Sequence, residues 1–146
     1  MERRLAPLIL GFGLFFEGCT FTWEEVYAYN RMHNPIPETV DIIEKKILDV
    51  IREKGWDPYW GMELLKIFLV KVSVVYYDIM IPCITELIEK EVKPKQVIEY
   101  IDDTVGQFWD WATKKLRKKL SQIPLEIRRR KFSEIAKEKL QKILKI

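Results

Sequence analysis

The sequence is poor in the residues that hold metals. It has one histidine, His33, and two cysteines, Cys19 and Cys83, among 146 residues. A structural zinc site needs four Cys or His ligands, and these residues are too few. A di-iron bundle needs Glu-x-x-His pairs, but the residue three positions before His33 is Asn30. Five carboxylates are dense enough for a metal and equally typical of helix starts: Glu24, Glu25, Glu38, Asp41 and Glu44. We predict no metal and no cofactor.

Motifs of catalysis are also missing. Gly11 and Gly13 lack the third glycine and the preceding strand of a dinucleotide-binding loop. No serine or cysteine stands in a pattern that suggests a neighbouring general base. Asp102 and Asp103 are typical of a solvated helix face, and we expect His33 at the surface near a helix end. The sequence therefore predicts a protein that is not an enzyme.

Uncharged polar residues are scarce, with two Asn, four Gln and three Ser. Hydrophobic residues make up 48% of the chain, which excludes disorder by composition. Lys and Glu supply most of the charge, a profile typical of hyperthermophile proteins, including small helical proteins of archaeal viruses and plasmids. Cys19 and Cys83 fit two reduced thiols in a cytoplasmic protein, or one disulfide of the kind that hyperthermophiles retain.

Strand-like alternation is absent, and nearly every segment has helical periodicity. Thr22 and Glu25 have capping-box spacing, and further helices are expected over residues 38–54, 57–81, 83–91, 93–121 and 124–146. Residues 59–81 are apolar almost all round, which indicates a central helix that Pro82 kinks or ends. Leu116 and Leu125 are expected to face inward. The sequence predicts one all-α domain over residues 1–146, a compact bundle of four to six helices with a nearly all-apolar central helix.

An apolar run of 12 residues, 5–16, lies within an N-terminal arm of residues 1–18. Arg3 and Arg4 precede the run as in a signal peptide, but Glu17 fits poorly with a cleavage site. The run is too short to span a bilayer as a helix. We expect the arm to dock on its own core or on a neighbouring subunit, with processing or membrane contact as the alternative.

Positive charge is concentrated at one end of the chain. Residues 1–113 have 12 Lys and Arg against 19 Asp and Glu, whereas the basic C-terminal region, residues 114–146, has 13 against 3. Nine of these 13 residues form two groups. The first cluster comprises Lys114, Lys115, Arg117, Lys118 and Lys119. The second cluster comprises Arg128, Arg129, Arg130 and Lys131.

The two clusters differ in how well the helix dipole explains them. The first lies near the end of a predicted helix, where cations are favourable. The second cluster lies near the start of the next helix, where cations are unfavourable. Arg128 and Arg129 also fall within the apolar stripe of that helix. A short break over residues 121–124 is expected to bring both clusters to one corner. Nine cations there repel each other unless an anion is bound, and phosphate is the obvious candidate.

These patterns predict a non-enzymatic nucleic-acid-binding protein that grips the phosphate backbone of DNA or RNA, with little sequence readout. Trp111, beside the first cluster, is a candidate for stacking on a base, and packing under Lys or Arg side chains is the alternative. We expect a homo-oligomer or a subunit of a ribonucleoprotein or virion-like assembly, in the cytoplasm or the virion.

Two other functions fit the same charges. A scaffold protein would assemble through contacts between acidic and basic regions, without nucleic acid. A peripheral membrane protein would use the basic corner on anionic lipid and residues 5–16 as an anchor.

Overall fold

The computed structural model describes residues 20–34, 38 and 44–145. These residues form helices and no strand, which confirms the all-α bundle. The six α-helices are α1 (Trp23–His33), α2 (Asp49–Glu53), α3 (Pro58–Lys71), α4 (Tyr77–Glu89), α5 (Pro94–Asp110) and α6 (Leu125–Leu144). A π-helical turn, Glu44–Leu48, precedes α2, and another, Trp111–Lys115, follows α5. The N-terminal arm and Cys19 lie outside the described residues.

Several helix boundaries follow the predicted signals. The Glu25 amide donates to Thr22 Oγ1 at 3.2 Å, and the Thr22 amide donates to Glu25 Oε1 at 2.9 Å, which completes the capping box of α1. Asp57 accepts a hydrogen bond from the Tyr59 amide at 2.8 Å and caps α3. Gly55 has a φ of 84°, a conformation that glycine adopts at little cost after a helix end.

The core lies between α3, α4, α5 and α6. Helix α5 packs on α3 and α6, and α4 packs on α6. Helix α1 covers α3, while α2 and its π-helical turn cover α4. Phe68, Phe108 and Phe132 are the largest fully buried side chains and come from α3, α5 and α6. Burial of such side chains is the main stabilising contribution to the bundle.

The apolar central segment was predicted to be one helix over residues 57–81, but the structure divides it in two. Helix α3 ends at Lys71, Val72 and Ser73 are extended, and the axis turns by 108° between Pro58–Lys71 and Val74–Glu89. A run of β-branched valines around Ser73 lowers helix propensity there. Pro82 was expected to kink or end the helix; it lies inside α4 and does not end it.

That bent pair also bears on membrane insertion. Among the described residues, no single helix is long and apolar enough to cross a membrane. The pair Pro58–Lys71 and Val74–Glu89 meets the requirement only together, by length and composition.

Cys83 lies in the core on α4 as a free thiol. Burial raises the pKa of this thiol, and the neighbouring Tyr100 hydroxyl lowers it in part. The Tyr100 hydroxyl donates to the Ala136 carbonyl at 2.8 Å and ties α5 to α6. These contacts place Cys83 in a packed environment with its proton retained.

Candidate nucleic-acid interface

The second cluster lies on the first two turns of α6, and Arg129 is its best-anchored member. Its guanidinium makes a two-pronged ion pair with Asp78, with Nη1–Oδ1 at 2.9 Å and Nη2–Oδ2 at 2.8 Å. Arg129 Nη1 also donates to the Val75 carbonyl. The guanidinium lowers the pKa of the Asp78 carboxyl. Arg129 therefore ties α6 to the bend between α3 and α4.

Arg128 is half-buried beside the same bend. Its Nε donates to the Ile123 carbonyl at 3.0 Å, in the segment that leads into α6. Burial raises the pKa of the Tyr76 hydroxyl, and the Arg128 guanidinium beside it lowers that pKa in part. Arg128 lies near the helix N-terminus, where the helix dipole disfavours a cation, and the hydrogen bond to the Ile123 carbonyl compensates for this.

The other two members have partners on α6 itself. Arg130 Nη2 lies 3.3 Å from Glu126 Oε1, and Lys131 Nζ lies 2.8 Å from Glu134 Oε1. All four cations of the second cluster therefore have acceptors in their own chain. For Arg128 and Arg129, the position within the apolar stripe of α6 is explained by acceptors that lie outside this helix.

A cluster of four aromatic side chains lies beneath the second cluster. The rings of Tyr76 and Phe132 stack with centroids 4.4 Å apart, and Phe108 meets Phe132 edge to face at 5.3 Å. Trp111 lies 5.7 Å from Phe108, and Lys131 Nζ lies 5.9 Å from the centre of the Trp111 ring. In the structure Trp111 therefore packs against Phe108 and under the Lys131 side chain. Base stacking by this residue stays a prediction.

The first cluster lies where α5 ends. Lys114 and Lys115 complete the π-helical turn, and Arg117 adopts the left-handed conformation with a φ of 54°. The Lys118 amide donates to the Ala112 carbonyl at 3.1 Å, which closes the helix end. The predicted helix over residues 93–121 is therefore shorter, and residues 116–124 form the connection to α6.

Members of the first cluster are all exposed. Lys114 lies 3.5 Å from Asp110, in a pair whose two side chains are 77% and 64% exposed, so it adds little stability. The remaining four cations make no ion pair with the residues that the structure describes: Lys115, Arg117, Lys118 and Lys119. Of the nine cations in the two clusters, the four without an ion pair among the described residues all belong to the first cluster.

Both clusters border the connection, although it is longer than the predicted break at residues 121–124. Arg128 reaches back to the Ile123 carbonyl, and Lys131 covers Trp111 in the π-helical turn. The start of α6 and the end of α5 are therefore in contact. The two clusters flank the same connection but differ in their partners.

Exposed apolar side chains also occur in the connection and at the start of α6, and the sequence analysis did not predict them. Leu116, Leu125 and Ile127 are 39%, 42% and 41% exposed. Leu116 and Leu125 were predicted to face the core on helical periodicity. The prediction failed because residue 116 lies past the end of α5, and α6 begins at residue 125 with its first turn outside the core.

Other candidate chemistry is sparse. No group of three or more His, Cys, Asp or Glu residues suited to a metal occurs in the described part of the chain. His33 is exposed at the end of α1, with its ring 4.0 Å from that of Tyr29 and Nδ1 3.1 Å from the Tyr29 carbonyl oxygen. Comparison with protein families, curated proteins and solved structures finds no match to this chain.

Proposed function

We propose that this protein binds nucleic acid without catalysing a reaction, and that the first cluster contacts the phosphate backbone. The observation that carries the proposal is the exposure of Lys115, Arg117, Lys118 and Lys119 with no carboxylate partner among the described residues. Four cations within five positions repel one another, and a polyanion removes that repulsion while releasing its own counterions. Backbone contacts of this kind carry little sequence information.

The conformation of Arg117 supports the same proposal. A φ of 54° places a long side chain where glycine is normally found, at a cost of about 1 kcal/mol. Selection for stability alone favours glycine at this helix end. A cation retained there at that cost is better explained by what the cation binds.

The remaining predicted residues have different roles in this proposal. Arg128 and Arg129 position the start of α6 beside the connection. Lys114 and Arg130 have weak surface pairs, so each can exchange its carboxylate for a phosphate. Lys131 stays over Trp111 in the structure. The proposed contact surface is thus the first cluster, extended by Arg130, in a protein that acts as a subunit of a larger assembly.

A second candidate function, binding to an anionic membrane surface, is favoured by one observation. Leu116, within the first cluster, and Leu125 and Ile127, just before the second cluster on α6, are exposed. Apolar side chains next to lysines suit the headgroup region of a bilayer, where the former enter the acyl boundary and the latter meet lipid phosphates.

One binding experiment separates the two candidates. Fluorescence anisotropy would measure binding of the full chain to single-stranded RNA and duplex DNA, and flotation would measure binding to anionic and zwitterionic vesicles. The test variant carries Gln at Lys115, Arg117, Lys118 and Lys119. The matched control carries Gln at four cations in the second half of α6 and its end: Lys137, Lys139, Lys142 and Lys145.

We expect nucleic-acid affinity to fall by about 100-fold or more in the test variant and by less than about 10-fold in the control, because only the first removes phosphate contacts. No detectable binding to either nucleic acid at low salt would overturn the proposal. Binding to anionic vesicles alone would replace it with the membrane function.

A further inference from the structure

A groove of about 870 Å³ lies along the second half of α5 and reaches the end of α3. Its lining includes Val70 from α3 and Gly106 and Trp109 from α5. Val70 is 75% exposed and Trp109 is 48% exposed. Two large apolar side chains exposed in one groove form a patch, and such patches mark sites where a ligand binds.

Trp109 has a ring that the protein leaves uncovered. Gly106 lies one turn before it on α5, and a Cβ at Gly106 would meet open space. Among the described residues, Trp109 has neither an aromatic partner nor a cation over its ring. Trp111, in contrast, packs against Phe108 and under Lys131. Trp109 is therefore the tryptophan at this end of α5 that can receive a planar ligand.

The charged side chains of the groove are balanced. Three aspartates and two lysines line it: Lys71, Asp102, Asp103, Asp110 and Lys139. Lys71 Nζ lies 2.9 Å from Asp102 Oδ1, and Asp110 pairs with Lys114 of the first cluster. With Lys114 included, positive and negative charges are equal in number. A groove of this kind has little attraction for a phosphate and suits the uncharged base of a nucleotide.

The groove and the first cluster meet at Asp110. This residue lines the groove, and its Oδ1 lies 3.5 Å from Lys114 Nζ. Thr113 Oγ1 donates to the Trp109 carbonyl at 2.8 Å, so the π-helical turn continues directly from the turn that carries Trp109. From Trp109 to Lys114 the helix rises by roughly 7 Å. One or two nucleotides of a strand cover that distance, so a strand held by the first cluster can place a base on Trp109.

We propose that Trp109 stacks on an unpaired base of a single-stranded nucleic acid whose phosphates lie on the first cluster. Stacking uses the face of a base and tolerates any sequence. In a duplex each base is stacked between its neighbours, so only a single strand offers a free face. This inference rests on the proposed function and names its ligand as single-stranded DNA or RNA.

Fluorescence anisotropy with matched probes tests the inference. The probes are a mixed-sequence strand of about 15 nucleotides, made as DNA and as RNA, each alone and annealed to its complement. We expect Trp109→Leu to lower the affinity for the single strands by about 10-fold or more and for the duplexes by less than about 3-fold. Trp109→Phe should retain most of the affinity, because a phenyl ring also stacks. A loss limited to one of the two single strands would identify the sugar of the ligand.

The matched control is Tyr59→Leu, which removes an aromatic side chain that is 39% exposed at the opposite end of α3 from Lys71. It should change no affinity by more than about 3-fold. Trp109→Leu should also leave the salt dependence of single-strand binding unchanged, within the slope of about 0.7 that one phosphate contact contributes. Melting temperatures verify that each variant is folded.

The possible failures are distinguishable. Unchanged single-strand binding in Trp109→Leu would overturn the inference and leave the proposed function standing. An equal loss on single strands and duplexes would also overturn it, because Trp109 would then support the fold of the site. If the wild type bound neither kind of probe at low salt, the proposed function would fail together with the inference. A loss confined to anionic vesicles would assign Trp109 to a membrane surface and contradict the inference.

Discussion

The second cluster lies on a regular helix, and all four of its cations have acceptors in the same chain. The first cluster spans the end of the π-helical turn and the start of the connection, and four of its cations have no ion pair among the described residues. Arg129 makes two hydrogen bonds to Asp78 and one to the Val75 carbonyl. Arg117 belongs to a run of basic residues of similar density, but its backbone is left-handed and its side chain is exposed. Two runs of basic residues separated by eight positions thus differ in role: one pairs within the protein, and the other leaves most of its cations exposed and unpaired among the described residues.

The comparison teaches how a basic run in a sequence should be interpreted. A cation that falls within the apolar stripe of a helix points toward its own protein and needs an internal acceptor. A cation at a helix end with no acid nearby points toward solvent and is available for a ligand. For this chain, the stronger argument for an anionic partner therefore moves from the second cluster to the first.

The largest expected difference in stability concerns the packing beneath each cluster. Phe132 is fully buried and stacks on Tyr76, so Phe132→Ala should lower the free energy of unfolding by about 3–5 kcal/mol. Leu116→Ala, in the connection, should lower it by less than about 1 kcal/mol, because Leu116 is exposed. Urea denaturation measures both. Equal losses would show that the connection is as firmly packed as the start of α6.

A smaller effect is expected from the ion pair between Arg129 and Asp78, and it depends on pH. Arg129 holds the pKa of Asp78 below its ordinary value of 3.8. The pair therefore stabilises the fold above about pH 4, and that contribution is lost as the pH falls through the lowered pKa. Arg129→Met should lower the melting temperature at pH 7, and its difference from the wild type should shrink in acid.

The control for that prediction is Arg130→Met. Arg130 pairs with Glu126 one turn away on the exposed surface, where such pairs contribute about 0.3–0.5 kcal/mol. Its melting curve should nearly overlay that of the wild type at pH 7. If Arg130→Met destabilised the protein as much as Arg129→Met, the anchoring role of Arg129 would be wrong.

The smallest expected effect is a gain. Arg117→Gly should stabilise the protein by about 0.5–1 kcal/mol, because glycine adopts the left-handed conformation freely. Glu91 has a φ of 62°, and Glu91→Gly should give a similar gain. Only Arg117→Gly should also weaken nucleic-acid binding, as measured by anisotropy. If both variants lost binding, or if neither did, the proposed role of the Arg117 side chain in nucleic-acid binding would be contradicted.

Much of the fold could be predicted because the signals that begin helices are local. Thr22, Glu25 and Asp57 accept hydrogen bonds from backbone amides within one turn, and Pro58 has no amide hydrogen to satisfy. The structure has α1 and α3 starting at these signals. The bend at Ser73 was not predicted, since it depends on a balance between weak valine propensities and tertiary packing.

The candidate site was predictable in composition and less so in geometry. The charge count identified both clusters, but no glycine marks the left-handed residue at the end of α5, where Arg117 stands instead. Asp78, the partner of Arg129, is 51 residues away in sequence. Periodicity within one helix has no information about such a distant partner, so the sequence could not assign the second cluster to an internal role.

The salt dependence of nucleic-acid binding tests the different roles of the two clusters most directly. The slope of log K against log salt concentration is negative, and each lost phosphate contact reduces its magnitude by about 0.9 for duplex DNA. We predict that neutralising Lys115, Arg117, Lys118 and Lys119 reduces this magnitude by about 3–4, whereas Arg129→Met, measured while folded, changes it by less than about 1. An unchanged slope in the first variant, or an equal fall in the second, would contradict the account.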